Sequence, residues 1–243
     1  MAFTAATVMQ RASTILQDAE AVRWTAMELR DWLNEAVRAI TTIKPDAATQ
    51  SVIINLAVGT RQTLPEEYTI LSKVVRNIGA APGNAPGSAI RVLAKREILD
   101  AQIPNWHSNT GMPYSTDVNM VFQDAMNLRE FYVIPGNSGS GRVEAIVGVR
   151  PVDVRMPAGN VMDVASYSGT VGLDDIYQGI ILDFILFRAF AKDSAAADAA
   201  QRSQVHLQLA SNALAALAGG RAAMSLAATY GGPAVTGAPV TAG

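Results

Sequence analysis

His107 and His206 are the only two histidines in this 243-residue chain, and cysteine is absent. Disulfides, thiol catalysis and cysteine-based zinc or iron–sulfur sites are therefore excluded, and a reducing compartment is the expected setting. No HExxH, nucleophile elbow or other triad element accompanies the histidines. His107 then reads as an exposed loop residue and His206 as a surface helix residue. PGNSGSG, residues 135–141, imitates a phosphate loop, but Arg142 follows it and opens RVEAIVGV, a strand pattern instead of a helix. A hairpin turn is the expectation. Asp174 with Asp175 and Glu66 with Glu67 are adjacent pairs, and neighbours on a helix diverge by about 100°, so neither pair converges on one metal or one bond. The first pair suits a helix start and the second a loop. A hydrolase would have to use scattered carboxylates between Asp117 and Glu144, such as Asp124 and Glu130. No enzymatic activity, no cofactor and no metal are expected.

One carboxylate demands a partner. In IILDFILFRAFAKDSAAADAAQ, residues 180–201, Asp183 interrupts an apolar helical run. Helical geometry puts Asp174, Asp175, Gln178, Arg188 and Lys192 on one side and Asp183 opposite them, between Ile176 and Phe190. A carboxylate buried there needs an arginine or backbone amides, and Arg30 or Arg38 on an earlier helix are the candidates. Phe184, Phe187 and Phe190 at three-residue spacing read as core packing more readily than as a ligand groove. Asp183, Phe187, Arg188 and Phe190, with Arg221 and Tyr230 further on, are the candidate interface residues.

The elements that must position these groups follow from periodicity. A first helix is expected over Thr4–Asp18, with Val8, Ala12, Ile15 and Leu16 on one face, and a link over Ala19–Trp24. Thr25 and Glu28 form a capping box for a second helix with Leu29, Trp32, Leu33, Ala36, Val37 and Ile40 as its stripe, stopped at Lys44–Asp46. Strand patterns occur at 51–59, 73–78, 90–94, 117–123, 130–134 and 143–149, with 59–65 a turn or loop, 95–102 a short helix and 103–114 irregular. Five or six short strands in a mostly antiparallel sheet, sandwich or small barrel result. Helix returns after Asp174–Asp175. Ser194 caps another, to about Leu217, with Leu207, Ala210, Leu214 and Leu217 as a narrow stripe. The tail from 218 is Ala/Gly/Pro-rich and expected to be extended. The fold class is α+β, organised as a helix pair (1–50), a β-rich insertion (51–157), closing helices (158–217) and a tail (218–243).

Bulk numbers narrow the functional classes. Net charge is -2 with both signs mixed, unlike the basic footprint of a nucleic-acid-gripping protein. Charged residues are only 16% and hydrophobic ones 49%, which suggests that much of the surface is interface. The longest apolar stretch, 176–191, falls short of the roughly 20 residues of a span and carries Asp183 and Arg188, so no membrane association is expected. Met1 is followed by no basic and apolar leader, so no signal peptide is expected.

Several stretches in order resemble the head-to-tail adaptor proteins of tailed bacteriophages, a group that includes the tail tubular A proteins of short-tailed phages. ILQD (15–18), WTAMELRDWLNEAVRAI (24–40) and KPDA (44–47) look like that family's N-terminal helix pair. GTRQTLPEEYTILSKVVRN (59–77), FYVIPG (131–136) and RPVDV (150–154) resemble its β-domain, and DDIYQGIILDFILFRAFAKDS (174–194) resembles the returning helices. The resemblance implies a virion protein of the neck or tail, assembled in the host cytoplasm. It would form a ring, usually twelve copies, beneath the portal protein, receive the tail nozzle or tail tube, and continue the channel for genomic DNA without sequence-specific binding. Another neck or tail-completion ring protein is the alternative.

Overall fold

The computed structural model describes residues 3–79, 83–93, 95–123, 127–193 and 198–230, with backbone alone from 219 onward. Its helices are α1 (Ala5–Ile15), α2 (Ala26–Ile43), α3 (Arg96–Gln102), α4 (Gln178–Lys192) and α5 (Ala199–Tyr230). Its strands are β1 (Thr49–Asn55), β2 (Gly59–Thr63), β3 (Tyr68–Ile78), β4 (Pro86–Ala89), β5 (Arg91–Val92), β6 (Met120–Gln123), β7 (Glu130–Asn137) and β8 (Arg142–Val149). The fold is α+β, as the sequence suggested. Two compact units divide the chain: Met1–Val37 with Asp153–Gly243, and Arg38–Val152, the boundary falling within α2.

The first unit is helical. Thr4 caps α1 by accepting the Thr7 N–H at 3.4 Å, and the helix stops where Gln17 takes a φ of 56°. Ala5, Val8, Met9, Ala12 and Leu16 make its buried stripe. Ile15, expected there, is 49% exposed, because the buried stripe extends toward Met9 and Ser13, on the flank away from Ile15. The link to α2 winds around Asp18, whose carboxylate accepts the backbone N–H groups of Val22, Arg23 and Trp24 at 3.0, 2.9 and 2.9 Å. Burial opposes ionisation of Asp18, but these donors and the Arg23 charge together hold its pKa below the ordinary value.

The capping box forms as read: the Thr25 N–H donates to Glu28 Oε2 at 3.1 Å and the Glu28 N–H to Thr25 Oγ1 at 3.4 Å. Leu29, Leu33, Ala36, Val37 and Ile40 are buried along α2, while Trp32 is half-buried. Asn34 sits in that apolar stripe for a reason. Its amide donates to the Val154 carbonyl at 3.1 Å and accepts the Val154 N–H at 2.9 Å, fixing the chain that leads back into the helical unit. α4 packs against α1 and α5. α5 runs past Leu217, where the leucine stripe gives out, to Tyr230; alanine-rich sequence sustains helix without a stripe. The extended tail expected from 218 is therefore helical as far as Tyr230. Ser194 and 231–243 lie outside the described residues.

The second unit is two four-stranded sheets, ordered β1-β8-β3-β4 and β2-β7-β6-β5. Their inner faces share one core, with Ile54, Leu71, Val74, Val143, Ala145 and Val147 from the first sheet against Val121, Phe131 and Val133 from the second. Among the described residues eight strands replace the five or six expected. Residues 59–63 are strand β2, paired with β7, not a turn. Its inward positions are Thr60 and Gln62, both buried and polar, so the alternation that marks a strand is invisible in hydropathy. The Gln62 amide is satisfied locally by the Ala57 N–H and carbonyl at 2.7 and 2.9 Å. Among these strands all pairings are antiparallel except β5 with β6.

Candidate functional site

Asp183 does not lie in the deepest part of α4. That helix buries Ile181, Leu182, Ile185, Leu186 and Ala189, and the opposite side, with Asp183, Phe187 and Phe190 half-buried, faces α5. Ile176 precedes the helix and is 59% exposed. The partner of Asp183 is His206 of α5, whose Nδ1 lies 2.9 Å from Asp183 Oδ1, in place of Arg30 or Arg38; the Arg30 guanidinium stands 2.8 Å from Asp31. His206 is correspondingly half-buried, not the surface residue expected, and its ring stacks on Phe190 at 5.6 Å between centroids. The Arg202 guanidinium lies over the same Phe190 ring, 5.7 Å from its centroid, and Ser203 Oγ donates to the Phe187 carbonyl at 3.1 Å. A carboxylate–imidazole hydrogen bond, a stack, a cation–π contact and a side chain–backbone bond thus join α4 to α5 along one seam.

The link between α2 and α4 uses other residues with the reverse polarity. Arg188 of α4 pairs with Glu35 of α2, its Nε donating at 3.1 Å. Lys192 Nζ stands 2.6 Å from Glu28, Arg23 pairs with Asp193, and Trp24 Nε1 donates to the Ala189 carbonyl at 3.1 Å. Arg188 and Lys192 do share one side, as the helical angle implied, and that side meets the acidic positions of α2. Burial works against the charge on Glu28, yet hydrogen bonds from Lys192 and Thr25 lower its pKa. Arg221 and Tyr230 fall on the last part of α5.

The other chemical candidates are occupied by structural work. Glu130 pairs with Arg61, Nε to Oε2 at 3.0 Å, and its pKa is lowered chiefly by that bond. Glu144 in the other sheet pairs with Arg76 at 2.5 Å and accepts from Ser51 Oγ at 2.9 Å, with a pKa lowered chiefly by Arg76. Both stay ionised as acceptors, a poor state for a general acid; Asp124 lies outside the described residues. The 135–141 segment is not the hairpin turn expected: β7 and β8, which it joins, belong to different sheets and pair with other strands, so the chain crosses here from one sheet to the other. Its Gly139 and Gly141 N–H groups, which a phosphate would need, donate to Asn137 Oδ1 at 2.8 and 3.0 Å. Asp174 accepts the Ile176 N–H at 3.2 Å, the helix-start role expected, and Glu66 and Glu67 are exposed in a turn.

One cluster escaped the sequence reading. Trp106, fully buried, packs with Leu99 and Ile134 and stacks on His107 at 3.6 Å between centroids. His107 Nδ1 lies 2.8 Å from Thr60 Oγ1. Burial is the main cause of its lowered pKa, against the opposing pull of Asp100. A hydroxyl beside an imidazole is half of a nucleophilic pair, but Thr60 is 6% exposed and Asp100 accepts from Trp106 Nε1 at 2.8 Å, so no carboxylate orients the ring. The irregular composition of 103–114 concealed this small core. Among the described residues no group of three or more His, Asp or Glu side chains is placed to hold a metal ion, and no helix is long and apolar enough to cross a membrane.

These residues define an α+β protein whose polar side chains join one element to another. Residues 3–236 match the family described as SU10 adaptor protein, and the chain belongs to that family of phage adaptors. A comparison with curated proteins gives no match.

Proposed function

We propose that the protein is the head-to-tail adaptor of a tailed phage, a non-enzymatic virion component that forms a ring in the neck beneath the portal and continues the DNA channel toward the tail nozzle or tail tube. The observation that carries this reading is the family match across residues 3–236. Twelve copies, and a kinship with the tail tubular A proteins, follow from the sequence resemblance. The helical unit closes as a bundle through the α4–α5 seam and the Arg188–Glu35 link, and it presents α5 to the portal or to the adjacent subunit. In this reading Asp183, Phe187, Arg188 and Phe190 serve the interface by holding that helix in place, and Arg221 and Tyr230 are contact positions. The β-rich unit serves the tail. A balanced charge suits a channel wall that DNA must pass without sticking. Co-purification tests the assignment: the adaptor is retained by immobilised portal ring, whereas a tail-completion protein is retained by tail tube and not by portal.

A further inference from the structure

Four strands lie at sheet edges, and three of them are blunted in the ways that suppress strand addition. β4 is four residues long and begins with Pro86; β5 has two residues, one of them Arg91; β2 has a register shift between Gly59 and Arg61 and carries that arginine. β1 has none of these devices. Its sequence TQSVIIN contains no charge and no proline, and it pairs with β8 over seven consecutive residues without a register shift. Thr49, Gln50, Ser51, Ile53 and Asn55 are exposed.

The register shows which backbone groups are open. The Val149 N–H donates to the Ala48 carbonyl and the Leu56 N–H to the Gly141 carbonyl, so the even-numbered residues from 48 to 56 exchange bonds with β8. The N–H and C=O groups of Thr49, Ser51, Ile53 and Asn55 therefore point away from the sheet. They are symmetric about Val52.

We infer that the open edge of β1 pairs antiparallel with β1 of a second copy of this chain, about a two-fold axis at Val52. In that register Thr49 meets Asn55 and Ser51 meets Ile53, every outward backbone group finds a partner, and no charges oppose each other. A second copy is the occupant because head-to-tail strand addition needs two different receptive edges, and the described strands of this chain offer one. The contact joins the two β1–β8–β3–β4 sheets into one eight-stranded sheet. An isologous contact of this kind does not propagate around a cyclic ring, so it goes beyond the adaptor reading and belongs to a form of the protein outside the ring.

The absence of cysteine makes the test clean. Val52→Cys brings the same position of two copies together at a non-hydrogen-bonded pair, within the spacing a disulfide spans. Mild oxidation is expected to give a covalent dimer that reductant reverses, and the purified wild-type chain is expected at twice its 25.6 kDa mass. Ile53→Lys, which sets like charges across the axis on an exposed position, is expected to shift that mass to the monomer with an unchanged circular dichroism spectrum. A wild-type monomer at all accessible concentrations, a Val52→Cys chain that does not cross-link, or a dimer that Ile53→Lys leaves intact overturns the inference. Portal retention is measured separately, so neither result stands in for the other.

Discussion

At the scale of single residues, buried amides carry the most structural information per side chain. Asn137 is fully buried, donates to the Ser115 and Thr116 carbonyls at 3.1 and 2.9 Å, and accepts the N–H groups of Gly139 and Gly141. Asn137→Ala leaves those groups without partners, and we expect about 2–4 kcal/mol of lost stability in urea unfolding; a loss under about 0.5 kcal/mol would mean that water replaces the amide at no cost. Asp183 and His206 are both partly open to solvent, so Asp183→Asn, which keeps the shape and removes the charge, is expected to cost no more than about 1 kcal/mol with helix content unchanged. A cost above about 2 kcal/mol would restore the deeply buried carboxylate that the sequence suggested. That Asp183 needs a partner was legible from its apolar neighbours. Its identity was not, because His206 lies on a different helix, and which position of that helix meets Asp183 depends on tertiary packing.

Between elements, ion pairs give the helical unit its acid sensitivity. Glu28 has a lowered pKa in the folded chain, so its contribution is fully present above its ordinary value of 4.5 and is lost as pH falls through the folded value below that. Glu28→Gln is expected to lower the urea midpoint of the wild type at pH 7 and to flatten its fall below about pH 5. Parallel pH profiles for the two chains would assign the acid lability elsewhere. The capping box that begins α2 was legible because its hydrogen-bonding pattern is local, and so were α3 and the strands with alternating apolar residues. β2 was hidden by Thr60 and Gln62, polar residues turned inward. The continuation of α5 beyond Leu217 was hidden because helix propensity, unlike packing, leaves no periodic trace. For the same reason the α2–α4 link was read from the wrong residue: charge position on the helix was right, but which side met α2 depended on tertiary packing.

At the level of the whole molecule, the arrangement accounts for a chain with little charge: many of its polar groups fix helices and turns, and its family is that of phage adaptors. The order of motifs made the family legible where no single motif did. Copy number and partners are properties of surfaces between chains, which the internal periodicities of one chain do not encode. The most direct measurement of the central claim is the mass, by light scattering after size separation, of the purified protein alone and after mixing with a portal ring. The adaptor reading predicts a portal complex heavier than the ring by several multiples of 25.6 kDa. A portal ring of unchanged mass eluting beside the free protein would contradict it.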